Sequence, residues 1–202
     1  MHQAPLSLGR VSSTDRNFYD RNYFNAHDRT GDIFLISGFG VYPNLSVVDA
    51  FVTVRHGDSQ VAVRFSDALG ERSMESKVGG YRLEVIEPLQ KIRVICEHEQ
   101  LSCDITWDGS FPAVLEEAHI LMSSPRPILD ASRFAQVGSW SGTLAVQGKD
   151  VTLDPHTWMA RATARGGASV RSASRIRRDA GPTRTEAATT GHTCRCASTT
   201  SR

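Results

Sequence analysis

The feature that most limits what this chain can fold into is alternation. Between Asp32 and Leu153, large apolar residues recur at every second position in short runs broken by Gly, Pro, Asn and Asp. Successive side chains of a strand point to opposite faces, so such runs describe strands with one buried face. Val48, Ala50, Val52 and Val54 share one face of a run, with Asp49, Thr53, Arg55 and also Phe51 on the other. Gly57-Asp58-Ser59 is hairpin chemistry, and Val61, Val63 and Phe65 return on the far side. Tyr81, Leu83 and Val85 form a similar row, followed by Ile92, Val94 and Cys96, then Leu101, Cys103, Ile105 and Trp107. A turn centred on Glu99-Gln100 sets Cys96 opposite Cys103, as two small apolar side chains in a reduced protein. Trp140, Leu144 and Val146, a Gly148-Lys149 turn, then Val151 and Leu153 read as a closing hairpin.

Other segments are less regular. A strand is expected over about 32–38, then an irregular stretch at Gly38 and Gly40 and a turn near Pro43-Asn44. Residues 112–122 fit either one short helix or a bent strand. Phe18, Tyr19, Tyr23 and Phe24 read as a core-anchoring segment. Sequential strands joined by tight turns predict an antiparallel sheet, and one this long must curl into a barrel or split into a sandwich.

Composition matters at the C-terminus. Residues 159–202 hold nine arginines against Asp179 and Glu186, a net +7; with +1 for the whole chain, the remainder carries −6. A basic tail suggests an interaction arm. An arginine arm would bind nucleic-acid phosphates with an affinity that falls steeply as salt rises, a reading that the shift of frame inferred below weakens. The segment has too little apolar surface to offset its ordering entropy, so disorder is expected. The resulting domain reading is a flexible 1–14, an antiparallel β domain over 15–158 and a disordered 159–202. No apolar run of roughly 18 residues is present to span a bilayer. The start of the chain lacks a basic segment followed by an apolar one. A cytoplasmic chain is the expectation.

No phosphate-binding loop, dinucleotide fingerprint, nucleophile elbow or zinc-helix motif is present. Cys194 and Cys196 lack a completing ligand set, and no metal or cofactor is expected. Scattered His56, His98, His119 and His156, with Asp104 and Glu116-Glu117, are the acid–base inventory.

Residues 17–35 ("NFYDRNYFNAHDRTGDIFL"), 38–54 ("GFGVYPNLSVVDAFVTV") and 137–158 ("VGSWSGTLAVQGKDVTLDPHTW") resemble an uncharacterised bacterial family. That family is related to carotenoid hydratases (hydroxyneurosporene synthases) and to lipocalin-like proteins with two successive β-barrels. The resemblance implies an all-β, lipocalin-like barrel or curled sheet, the first half of a two-barrel protein. It implies an apolar small-molecule ligand, a lipid or isoprenoid, held in the barrel; the alternatives are a hydratase or isomerase of such a ligand and an inactive truncated fragment. Hydration of an isoprenoid double bond needs an acid kept protonated beside apolar walls. Asp104 and His119 are the candidate catalytic groups, and Tyr42, Trp107 and Trp140 the candidate ligand-binding aromatics. The family continues after the equivalent of Trp158 with an arginine- and tryptophan-containing motif and a second barrel, which this chain lacks. Back-translating Arg161–Ile176 in GC-rich codons and reading two bases downstream yields Arg-Asp-Arg-Ala-Trp-Gly, close to that motif. The expectation is therefore a shift of reading frame after Trp158, with the second barrel missing from the chain.

Overall fold

The alternating runs become hairpins. In the computed structural model, which describes residues 11, 13–72 and 75–154 and the backbone of 159–170, β3 (Val47–His56) and β4 (Ser59–Ala68) pair from His56↔Ser59 to Val47↔Ala68. Val48, Ala50, Val52, Val54, Val61 and Val63 are buried on one face. The strands β1 (Tyr19–His27) and β2 (Ile33–Tyr42) precede them. A second set comprises β5 (Lys77–Val78), β6 (Tyr81–Glu87), β7 (Lys91–Cys96) and β8 (Leu101–Gly109). The expected Cys96↔Cys103 pairing is present, and both thiols are free and buried.

The remaining strands are β9 (Val114–Leu115), β10 (His119–Ser123), β11 (Arg126–Val146), β12 (Lys149–Leu153) and β13 (Met159–Val170). The sheet order is β4-β3-β2-β1-β13-β11-β8-β7-β6-β5, with β9, β10 and β12 also on β11. All the pairings are antiparallel.

This sheet curls. Five strands lie between β2 and β6, and a flat sheet would separate them by roughly 29 Å at about 4.8 Å per step. Yet Ser37 of β2 and Tyr81 of β6 share a hydrogen bond of 2.8 Å, and the Phe39 and Tyr81 rings stack at 6.1 Å. The all-β, curled, lipocalin-like sheet expected from the sequence is thus observed. Its interior is filled by side chains. Phe24 meets Trp140 edge-on at 5.9 Å, and Trp140 lies directly opposite Trp107 in the β8–β11 ladder. Phe24 anchors the aromatic N-terminal segment in this core, and Phe18 beside it is also buried.

Three local differences from the sequence reading, and the choice it left open at 112–122, have physical causes. β2 runs unbroken through Gly38 and Gly40, because these glycines open room on the outer face: a Cβ at Gly38 would lie 2.6 Å from the Phe51 ring. The β11–β12 turn is Gln147-Gly148, one residue early, since both adopt positive φ (50° and 76°). Residues 112–122 take the bent-strand option, split into β9 and β10 around Glu116–Ala118, with no helix there. Finally, the backbone of 159–170 pairs with both β1 and β11. The sheet therefore continues past Trp158, because ladder hydrogen bonds use the backbone and do not require apolar side chains. Residues 171–202 lie outside the described residues.

Candidate functional site

Inner positions of β1–β4 are claimed by the core, so chemistry must be sought on the outer face. There the register sets Arg21 opposite Gly40, Gly40 opposite Asp49, and Asp49 opposite Ser66, one row across four strands. Gly40 contributes no side chain to this row. The tips of Asp49 and Tyr42 occupy the space: a Cβ on Gly40 would lie 2.7 Å from Asp49 Oδ1 and 2.9 Å from Tyr42 Oη. The Tyr42 hydroxyl donates to both Asp49 carboxylate oxygens at 3.3 Å. The Tyr19 ring stands 6.3 Å from the Tyr42 ring, and the Arg21 guanidinium lies 5.8 Å from the centre of the Tyr19 ring. Tyr19, Tyr42, Leu129 and Ala131 form a small apolar cluster separate from the main core.

The electrostatics of this niche are unusual for a surface. Burial pushes the Asp49 carboxyl above its ordinary value, against the opposing pull of Arg21, the Tyr42 hydrogen bond and Arg64. Burial likewise pushes the Tyr42 hydroxyl up to about 12, with Arg21 opposing and Asp49 adding to the rise. Burial thus raises the proton affinity of a carboxyl that lies beside aromatic walls and accepts a hydrogen bond from a phenol.

The sequence candidates separate into three places. Tyr42 is in the niche. His119 pairs with Ala131 across β10 and β11, at the border of the same apolar cluster, and its Nδ1 is buried without a hydrogen bond among the described residues. Asp104 is elsewhere, opposite Thr143, twelve residues along β11 from Ala131. Its carboxylate is gripped by Arg93 at 2.6 and 2.5 Å, which holds it below its ordinary value. That is the reverse of what a proton donor needs. Trp107 and Trp140 are core residues; Trp140 Nε1 donates to the Asn25 carbonyl at 3.1 Å. Asp49, Gly40, Arg21 and Tyr19 were not candidates from sequence, although Asp49 is the one acid in the apolar run 47–54.

Among the described residues no group of His, Cys, Asp or Glu is arranged to hold a metal ion. No helix among them is long and apolar enough to cross a membrane.

Fold and site define a lipocalin-like, curled antiparallel sheet with an acid–tyrosine pair on its outer face. The chain belongs to a family of unknown function (DUF8625), whose profile matches residues 1–191. The match runs past Trp158 and covers most of the arginine-rich segment. No curated protein matches the sequence. Among solved structures, the chain is similar to an AttH-type protein of Nitrosomonas europaea, with 15% identity and a TM-score of 0.59 over 84% of this chain and 59% of that one. It is also similar to kievitone hydratase of Nectria haematococca, with 13% identity and a TM-score of 0.55 over 75% of this chain and 48% of that one. CghA crystallised with Sch210972 shows 12% identity and a TM-score of 0.50, covering 73% of this chain and 45% of the other. The chain thus spans about half the length of these structures.

Proposed function

We propose that the protein binds an apolar, unsaturated small molecule, of lipid or isoprenoid type, against the Tyr19–Tyr42 wall and acts on it as a hydratase or isomerase with Asp49 as the acid. The observation that carries this reading is the half-buried Asp49–Tyr42 pair in the space left by Gly40. The similarity to a hydratase of the same fold supports the class. The Asp49 proton passes to one alkene carbon, leaving a carbocation on the other. Water captures that cation and returns a proton to the carboxylate, so the net change is addition of one water. Loss of a neighbouring carbon-bound proton instead gives the isomer. The faces of Tyr19 and Tyr42 stabilise the transient cation by their ring quadrupoles.

A binding role without chemistry is the second reading, favoured by the apolar cluster of Tyr19, Tyr42, Leu129 and Ala131. One experiment separates the two. The full chain is incubated in D2O with geraniol and with squalene, and the products are analysed by mass spectrometry, with Asp49→Asn alongside. Deuterium uptake or water addition that the variant lacks supports the enzyme. Quenching of intrinsic fluorescence by either probe without mass change supports the binder, and neither response refutes both.

For residues beyond Trp158, two readings stand. The family match through 191 supports a shared segment, and the back-translated motif supports a change of frame. The nucleotide sequence downstream of codon 158 distinguishes them.

A further inference from the structure

The outer face of β1–β4 is cationic, whereas the chain up to Trp158 carries a net −6. Paired residues point to the same face of a ladder. The rows Arg21–Gly40–Asp49–Ser66 and Tyr23–Gly38–Phe51–Arg64 therefore lie side by side on that face. Among the outward positions of these four strands, Asp49 is the only acid, against Arg21, Arg55 and Arg64.

Two of these arginines are available to a ligand. Arg55 donates through Nε to the Gly57 carbonyl at 3.0 Å. Arg21 and Arg64 are exposed and make no hydrogen bond or ion pair with any described residue. Both act on the charge of Asp49, yet the two Asp49 oxygens accept from Tyr42. Arg21 rests against the Tyr19 ring, 5.8 Å from its centre. A cation–π contact consumes none of the five N–H donors of a guanidinium, whose planar fork matches a carboxylate or phosphate. Strands about 4.8 Å apart set β1 and β4 roughly 14 Å apart. The floor between them is low, because Gly38 and Gly40 carry no side chain and the tips of Phe51 and Asp49 lean over those glycines.

We propose that the ligand of this niche is an amphiphile with an anionic headgroup, a carboxylate or a phosphate ester, seated between Arg21 and Arg64 with its chain along the Tyr19–Tyr42 wall. The proposal rests on the niche being the site and adds the class of headgroup. It also supplies a way for the acid to gain its proton. The groups facing Asp49 are Tyr42 from β2, Arg21 from β1 and Arg64 from β4, and the two arginines pull the carboxyl down against the burial that raises it. An anion between them neutralises that pull and brings its own negative charge, and both changes raise the proton affinity of Asp49. By reciprocity, the chain with Asp49 protonated binds the anion more tightly than the chain with Asp49 ionised.

Equilibrium dialysis of the full chain at neutral pH and low salt measures the headgroup preference. Oleate and farnesyl phosphate, below their micellar concentrations, are compared with oleyl alcohol and farnesol, which keep the chains and lack the charge. At least one anion should bind about tenfold or more tightly than its alcohol, and which of the two does so identifies the headgroup. A double variant carrying Arg21→Gln and Arg64→Gln should bring anion and alcohol within about threefold of each other, with an unchanged melting temperature. Carboxyl NMR gives the second readout: the Asp49 midpoint should rise when the anion is bound and not when the alcohol is. Alcohols that bind as tightly as their anions would overturn the headgroup and leave the niche as the site. Binding by none of the four probes would overturn both. A preference that persists in the double variant, or an Asp49 midpoint that the bound anion leaves unmoved, would overturn the proposal as well.

Discussion

Replacing Gly40 by alanine tests the niche without touching its acid. The new methyl carbon falls 2.7 Å from Asp49 Oδ1 and 2.9 Å from Tyr42 Oη, too close for any real contact, so one or both groups must swing away. Both are side-chain tips, and no backbone atom has to yield. Breaking the Tyr42–Asp49 hydrogen bond costs about 0.5–1.5 kcal/mol. Alanine in a strand interior regains roughly 0.5–1 kcal/mol of the entropy that glycine loses on folding. These terms offset, and Gly40→Ala should change stability by less than about 1 kcal/mol, or roughly 2–4 °C in Tm for a domain of this size. Gly80 and Gly138 are the contrast. A Cβ there meets the backbone carbonyl oxygens of Glu97 and Asp108, and overpacking of that kind costs about 1–3 kcal/mol. Urea denaturation ranks the three variants. Carboxyl NMR of Gly40→Ala should show the Asp49 midpoint displaced: upward where Tyr42 swings away and its hydrogen bond is lost, downward where Asp49 itself swings out and loses the burial that raises it. A Gly40→Ala variant as unstable as the other two, or with an unmoved Asp49, would refute the reasoning.

Other outcomes follow from the same structure. Trp140→Ala removes a fully buried indole and the hydrogen bond it donates to the Asn25 carbonyl, and should cost about 3–5 kcal/mol in urea denaturation. Asp49 has a folded-state value above its unfolded one, so its contribution to stability is full below the unfolded value and is lost as pH rises through the folded value. Asp49→Asn should therefore be at least as stable as the native chain at neutral pH, measured by thermal melting. Asp104 behaves oppositely: held low by Arg93, it contributes above its unfolded value and loses that contribution as pH falls through the folded one. Arg93→Ala should differ from the native chain at neutral pH and low salt, and the difference should disappear in acid or high salt.

Much of the fold was legible in local patterning. Alternation located β3, β4, β7 and β8, and the Glu99-Gln100 centre placed Cys96 against Cys103 because a hairpin's turn determines its register. The same alternation put Trp107 in a row with Leu101 and Ile105, and Trp140 with Leu144, yet both were read as ligand-binding aromatics, because a row of inward residues does not tell a filled interior from an open one; in the structure both are buried in the core. The niche was not legible. It depends on Gly40 standing between Arg21 and Asp49, and that row exists only once three separate ladders have their registers. Nor does the order β1-β13-β11 appear in any local signal, since β13 joins through its backbone between strands far away in sequence. Asp104 illustrates the opposite error. It stood out as a carboxylate in a strand, yet its role depends on Arg93 in the neighbouring strand.

The account turns on burial raising the Asp49 carboxyl above its ordinary value. Carboxyl-carbon NMR titration of the full chain measures this directly. Asp49 should titrate above the ordinary aspartate value of 3.8, while Asp104 and Asp108 titrate below it. An Asp49 midpoint at or below that of Asp104 would contradict the proposed site.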